Sequence, residues 1–549
     1  MPKIIAGPIG NCVHVAGTLA FLHVAEQLGY ETEFVGAAVS VDAFVEAVRE
    51  HDPDIVGISY RLTPHVVHNL LEELKQKLQE AGLANRRFIF GGTPPVCEVA
   101  REFQWFERCF DGLEPPEELW AYLRGDCTED CAQEYATTQI ERLEKKRPYP
   151  LLRHHFGLPS LKSTVAGVRK IAESGVLDVI SIGPDQNAQE SFFRQHEMDP
   201  VQDGAGGVAI RSADDLRQIY QAAQRGNFPL LRIYSGTRDL IKWAELAVAT
   251  INNAWGAIPL CWYSTLDGRS KRTPEEAIAE NQQAMRWYGE RGIPVEVNEA
   301  HHWSMRDAHD ILAVVTAYLA AYNAKAMGVK HYIAQYMFNS PSNVYGSMDL
   351  AKMLAKMEMI ESLHDENFIS MRQVRAGLLH LSPRMNMAKG QLAASTMLAL
   401  AMKPHIIHVV GFSEGDHAAT ADDVIESCEI VGGVLKNSLF GSPDMTPDPL
   451  VQERKAELIS EAKTLINALK SLADGKDGDP LTNPSILAKA IRIGFLDAPH
   501  LKGNPDAAGL LQTKLIDGAI YAVNPSTKKM ISEKSRLAAL EPPKDSGTN

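Results

Sequence analysis

The chain has little cysteine and no excess of basic charge. Seven cysteines are scattered through 549 residues, an odd number without a paired framework, which excludes a disulfide-built secreted scaffold and fits reduced thiols in the cytoplasm. Cys127 and Cys131 form the one close pair, in an acidic stretch; with no second pair to complete a zinc site, surface thiols are expected there. Lysine and arginine number 55 against 69 aspartate and glutamate, a formal net charge of -14, so the basic surface that phosphate backbones require is missing and nucleic acid is excluded as a partner. Apolar runs all fall short of the roughly 20 residues that cross a bilayer, so no membrane partner is expected. The opening Met1-Pro2-Lys3-Ile4-Ile5-Ala6 reads as a β-strand rather than a signal peptide.

What is present is an ordinary globular composition, 45% hydrophobic and 23% charged. At this length one core does not suffice, and two or three domains are expected. The first hundred residues alternate strand and helix: a strand at the start, Glu31 to Gly36, helix Val41 to His51, strand Ile55 to Ser59, helix His65 to Ala81, and strand Arg87 to Phe90 running into Gly91-Gly92-Thr93. Such alternation implies a parallel, doubly wound sheet. On the loop after the first strand stands Gly10-Asn11-Cys12-Val13-His14-Val15-Ala16-Gly17. A histidine at the carboxyl end of a strand sits where such sheets place ligands, and imidazole is a good ligand for a mid-row transition metal. A glycine at the helix start lets a bulky ligand approach backbone. An ordinary loop histidine is the alternative.

This stretch resembles the cobalamin-binding module, whose Gly-x-Asp-x-His-x-x-Gly segment places a histidine on the lower face of the corrin cobalt. The resemblance makes His14 the cobalt ligand and Gly10, Cys12 and Gly17 its neighbours, with Cys12 standing where the family has Asp. The family's Ser-x-Leu is Ser59-Tyr60-Arg61 here, and Gly91, Gly92 and Thr93 match the segment that lies against the nucleotide tail. Leu62-Thr63-Pro64 resembles corrinoid methyltransferase domains.

Residues 127–158, a charged stretch closed by Pro148 and Pro150, read as a linker between a module at 1–126 and a second domain at 159–475, with a C-terminal extension at 476–549. In the second domain apolar runs at Val176–Ile182, Pro229–Tyr234, Ala257–Trp262, Pro294–Asn298, His331–Met337 and His405–Gly411 nearly all end in polar or glycine residues. That asymmetry predicts a TIM (β/α)8 barrel with its active site at the carboxyl ends of the strands. The fold expected is α/β: an N-terminal Rossmann-like, flavodoxin-like cobalamin-binding domain followed by the barrel.

From about Gly206 to Leu537 the chain resembles the barrel subunit of glutamate mutase, through Ser235-Gly236-Thr237, Asn252-Asn253 to Tyr263, and Ala488 to Pro499. The resemblance implies adenosylcobalamin as cofactor, radical rearrangement of a small substrate, the corrin held between module and barrel, and a homodimer. Tyr234 falls where a substrate-gripping arginine would be, Asn253 where the glutamate would be and Pro259 where a tyrosine would be, while Tyr263 is kept; glutamate is therefore not the expected substrate.

Arg232 and Arg238 are candidates for an anionic group, since guanidinium binds carboxylate bidentately; a surface ion pair is the alternative for Arg238, beside Asp239. Glu299-Ala300-His301-His302 offers a carboxylate and two imidazoles, with Glu299 and His302 assigned to substrate rather than metal because successive strand residues point to opposite faces. Glu414, in Ser413-Glu414-Gly415-Asp416-His417, falls where the mutase meets the adenosyl group; a helix cap is the alternative. The methionines between Met348 and Met359 are expected in the core. The expected function is an adenosylcobalamin-dependent isomerase acting on a small anionic molecule, with a corrinoid methyltransferase or a non-catalytic cobalamin sensor or carrier as alternatives.

Overall fold

Strand β1 (Lys3–Pro8) is apolar on both faces because it lies inside a sheet, with Ile4, Ile5 and Ala6 buried. In this computed structural model β2 (Glu31–Phe34), β3 (Ile55–Tyr60), β4 (Arg87–Gly92) and β5 (Arg108–Phe110) join it in parallel, in the order β2-β1-β3-β4-β5. This is the flavodoxin-like order, which reverses between β1 and β3. The structure describes residues 2–114, 116–125, 135–439, 441–473 and 478–540. The chain divides into two compact units, Met1–Glu134 and Tyr135–Asn549. The Cys127 and Cys131 pair lies outside the described residues.

Helix Val41–His51 starts at Ser40, whose hydroxyl accepts from Ala43 N at 3.3 Å, and buries Val41, Phe44, Val45 and Val48. Helix Pro64–Glu80 opens on proline and turns Val67, Leu71, Leu74 and Leu78 inward at helical spacing. Between strand and first helix the chain turns at Gly10, with φ +65°, where a Cβ would stand 2.6 Å from Leu70 Cδ1. The left-handed dihedral there favours glycine.

The second unit is built on eight parallel strands: β6 (Leu151–Phe156), β7 (Val179–Ile182), β8 (Leu230–Ile233), β9 (Gly256–Ile258), β10 (Val295–Val297), β11 (His331–Phe338), β12 (Ile369–Ala376) and β13 (Ile406–Val409). The sheet runs β8-β7-β6-β13-β12-β11-β10-β9, which is chain order with the first strand paired to the last. At the remaining seam Ala254 N donates to Leu231 O at 2.9 Å and Ser235 N to Ala257 O at 3.3 Å. Asn253 reinforces it, accepting from Ile233 N at 3.0 Å and donating to Trp255 O at 2.9 Å. The result is a near-closed (β/α)8 barrel.

The amino ends of the strands are plugged. Leu151, Val179, Leu230, Trp255, Ile333, Met371 and Ile406 form an apolar cluster with Ile140 and Leu143 from helix Gln139–Lys146, which lies across that end. Arg142 fastens the helix by donating to Asn227 O at 3.0 Å and Phe228 O at 2.7 Å, and Lys146 Nζ meets Asp178 Oδ2 at 2.6 Å.

Two expectations are corrected here. The stretch 127–158 is not simply a linker, since its second half supplies the plugging helix and β6, and β12 lay outside the strand-like runs because Arg372, Gln373 and Arg375 interrupt its apolar pattern. Nor does the expected C-terminal extension at 476–549 stand apart in its described part: Leu481, Leu487, Ile491, Leu501 and Leu537 belong to the barrel's own hydrophobic cluster, as do Met353 and Met359. The hairpin β14 (Thr513–Ile516) and β15 (Ala519–Ala522) completes this tail. Among the described residues no helix is long and apolar enough to cross a membrane.

Candidate functional site

In the first unit the candidate residues gather at the carboxyl edge of β1, β3 and β4. His14 is exposed on the loop before helix Ala16–Gln27 while Cys12 is buried. Cys12 Sγ lies 3.7 Å from His14 Nδ1, an arrangement that engages one ring nitrogen and leaves Nε2 for a ligand. Ser59 Oγ and Thr18 Oγ1 are 2.8 Å apart, tying β3 to that helix, and Tyr60 OH donates to Asn11 Oδ1 at 3.1 Å.

The surroundings fit a large, largely apolar ring system. A Cβ at Gly17 would meet nothing within 4 Å, and one at Gly91 would meet only Ser59 Cβ at 4.0 Å. Val13, on the loop after β1, and Leu62, on the loop after β3, hold 64% and 40% of their surface exposed. Gly92 packs against its neighbours instead, a Cβ there lying 2.7 Å from Tyr60 O; Arg61 is exposed and Thr93 half-buried.

The second unit holds a cavity of about 900 Å³ at the carboxyl ends of the barrel strands. Its floor is charged. Glu296, fully buried on β10, accepts from Arg153 Nη1 at 2.8 Å, Arg232 Nη2 at 3.1 Å, Trp255 Nε1 at 2.8 Å and Gln373 Nε2 at 3.0 Å. Burial pushes this carboxyl up, but the guanidiniums of Arg153 and Arg232 outweigh it and hold Glu296 at about 2. Arg232 Nη1 and Nε are buried without a hydrogen-bond partner, and Arg375 also lines the cavity. Three guanidiniums thus face one carboxylate at the floor. The imbalance suits an anion.

The walls carry neutral imidazoles. Burial lowers the pKa of His155, His301, His302 and His408 well below the usual histidine range, and neighbouring arginines lower it further. His301 and His302 sit on the short helix Ala300–Ser304, not on a strand, and their ring centroids are 4.4 Å apart with both rings lining the cavity. Tyr263, also a wall residue, is pushed up to about 12 by burial. Glu414 stands at the rim on a single turn of 3-10 helix, its pKa raised by burial.

Of the residues singled out from sequence, the cavity therefore brings together Arg232, Tyr234, Tyr263, His302 and Glu414. Asn253 and Glu299 have other work. Asn253 bonds the barrel seam, and Glu299 is a buried carboxylate that accepts from Leu260 N at 2.7 Å, Cys261 N at 3.0 Å and Trp303 Nε1 at 2.8 Å. Arg238 is held in ion pairs with Glu190 and Glu197. Sequence reasoning passed over Arg153, His155, Glu296, Arg375 and His408. A charged residue amid an apolar strand, as in Val295-Glu296-Val297, must find a buried partner, and that signal would have found the floor.

Residues 2–108 match the model of the B12 binding domain. Glutamate mutase sigma subunit 1 of Haloarcula marismortui is 30% identical over 150 residues, 26% of this chain and 94% of that subunit. Trimethylamine corrinoid protein 2 of Methanosarcina acetivorans is 30% identical over 92 residues, 17% of this chain and 42% of that protein. Among solved structures, a cobalamin-binding protein from Desulfitobacterium hafniense DCB-2 is 28% identical with a TM-score of 0.18, covering 20% of this chain and 52% of that one. The cobalamin-dependent S-adenosylmethionine radical enzyme OxsB is 9% identical with a TM-score of 0.22, covering 84% of this chain and 56% of that one. This chain spans about half the length of these two structures.

Proposed function

The N-terminal domain of this chain belongs to the B12-binding domain family, and on that premise we propose that the whole chain is an adenosylcobalamin-dependent radical isomerase of a small anionic substrate. The observation that carries the reading is the joining, on one chain, of a cobalamin-binding domain to a plugged barrel whose cavity floor has more guanidinium than carboxylate.

Adenosylcobalamin, when bound, supplies a deoxyadenosyl radical by homolysis of its cobalt–carbon bond, chemistry that belongs to the cofactor. His14 would hold the cobalt through Nε2, and Gly17 and Gly91 would leave the backbone open to the corrinoid. In the barrel Arg232 and Arg375 bind the anionic end of the substrate. Glu296 fixes Arg232 so that its remaining N–H groups stay aimed at the ligand. The neutral imidazoles of His301, His302 and His408 offer hydrogen bonds without adding charge, and the closed wall limits water around reactive species.

Incubating the purified full chain with adenosylcobalamin and a panel of small carboxylates, followed by EPR, tests the reading. A cob(II)alamin signal coupled to an organic radical with one of them, and none with glutamate or 3-methylaspartate, is expected. Isolation with methylcobalamin and transfer of its methyl group to a thiol without a radical would replace the isomerase by a methyltransferase, the alternative that Leu62-Thr63-Pro64 favours.

A further inference from the structure

Beside the anion-binding floor a second recognition element is built from Arg153 and His155 on β6 and Tyr234 just past the end of β8. Arg153 Nη2 lies 2.6 Å from His155 Nε2, and Tyr234 OH lies 2.6 Å from His155 Nδ1 and, more distantly, 3.1 Å from Nε2. Arginine can only donate a hydrogen bond. His155 Nε2 must therefore accept, which puts the ring proton on Nδ1, and Nδ1–H then donates to the Tyr234 oxygen. With its oxygen engaged as acceptor, the phenol keeps its own proton for a partner on the cavity side, where both Tyr234 and His155 form the wall. The face of the Tyr234 ring rests on Arg232, whose guanidinium carbon is 4.9 Å from the ring centroid. Trp243 Nε1 donates to the Tyr234 carbonyl at 2.6 Å and fixes the backbone.

We propose that the chain Arg153–His155–Tyr234 makes the Tyr234 phenol a fixed hydrogen-bond donor to substrate, so that the site takes a molecule with one anionic group and, a short distance along it, an uncharged oxygen such as a carbonyl. The proposal deepens the reading of the barrel as the substrate site and rests on it. Arg153 directs Nη1 to Glu296 and Gln373 and Nη2 to His155, so the group this wall turns to the ligand is the uncharged phenol. A second carboxylate placed there would give up its hydration for one neutral donor, with no guanidinium hydrogen bond of its own. A carbonyl needs one good donor. His155 is the positioning residue, setting the direction of the phenol proton without itself meeting the ligand through its ring nitrogens.

Three probes separate these cases in calorimetric titrations of the full chain without cobalamin: levulinate, with a carboxylate and a ketone; pentanoate, which lacks the ketone; and glutarate, with two carboxylates. Levulinate is expected to bind about five- to tenfold more tightly than pentanoate, the range of one neutral hydrogen bond, and more tightly than glutarate. Tyr234→Phe should abolish the advantage over pentanoate. His155→Leu should abolish it too, whereas His155→Gln should restore most of it, because the amide can accept from Arg153 and donate to Tyr234. Nitrogen NMR of histidine-labelled protein should show His155 protonated on Nδ1 alone. Tighter glutarate than levulinate, an unaltered preference in Tyr234→Phe, or a proton on His155 Nε2 would overturn the proposal. Because no probe experiment involves cobalamin, a failure of radical chemistry leaves these results standing; absence of binding by all three probes would instead remove the barrel cavity as the substrate site and the proposal with it.

Discussion

Cys12 Sγ stands 3.7 Å from His14 Nδ1, a thiol in the place where a carboxylate would orient a metal-binding imidazole. A thiol is a weak hydrogen-bond partner, and the group behind a metal-bound histidine commonly changes metal affinity by about 10- to 100-fold. With cofactor bound, the cob(II)alamin EPR spectrum should carry histidine nitrogen superhyperfine structure that His14→Ala abolishes. Cys12→Asp should tighten cobalamin binding by about tenfold. An unchanged spectrum in His14→Ala would remove His14 as the cobalt ligand.

Arg375 lines the cavity, and the hydrogen bond it makes, from Nε to Ala376 O at 3.3 Å, leaves the rest of the guanidinium to the cavity. Charge-assisted hydrogen bonds contribute about 1.5–3 kcal/mol each. Arg375→Met should therefore weaken levulinate binding by at least about tenfold while the melting temperature falls little. Equal affinity in variant and parent would move the anion to another part of the floor.

Glu296→Gln should destabilise the barrel by about 3–5 kcal/mol, the usual cost of leaving buried charge unpaired, because Arg153 and Arg232 both lose their carboxylate. Glu296 is held at about 2 in the folded chain, below its unfolded value of about 4.3. Its contribution is fully present above the unfolded value and is lost as pH falls from there through about 2. Chemical denaturation of the parent and the variant at several pH values reads this directly. The gap in stability between them should shrink between about pH 4 and pH 2, and a gap independent of pH would show that Glu296 is not the ionised partner.

Glu299 gives the opposite contrast. Its carboxylate collects two backbone N–H groups and an indole N–H, and Glu299→Gln would turn an amide donor toward them. A loss of about 1–3 kcal/mol is expected from unsatisfied buried donors, with levulinate affinity changed by less than about twofold. A large loss of affinity at unaltered stability would return Glu299 to the substrate site.

The inner strands of the first domain were legible because they are buried on both faces and so read as apolar runs, Ile55 to Ser59 being one, whereas the helix Pro94–Glu102 and the short edge strand β5 were not read. Six barrel strands were legible for the same reason. The other two were hidden by the side chains that make the site. In β6 the sequence Leu-Leu-Arg-His-His-Phe places Arg153 and His155 toward the cavity, and in β12 Arg375 does the same while Gln373 bonds Arg153 and Glu296 at the floor. A barrel filled with apolar side chains would have shown eight apolar runs; this one spends alternate positions on a polar interior. Spacing also misled at His301 and His302, which a short helix brings side by side where a strand would have separated them. The roles of Asn253 and Glu299 were unreadable because a buried polar side chain looks the same in sequence whether its partner is a ligand or a neighbouring backbone.

Helix Gln139–Lys146 and the apolar layer above it close the amino end of the barrel. A molecule in the cavity therefore leaves by the opening through which it came. If the cavity is the substrate site, substrate and product would both use the carboxyl end, so the next substrate would wait for the previous product to depart. Whatever the reaction, product should then inhibit competitively with substrate, and turnover should slow with added viscosity if departure, rather than chemistry, is the slowest step.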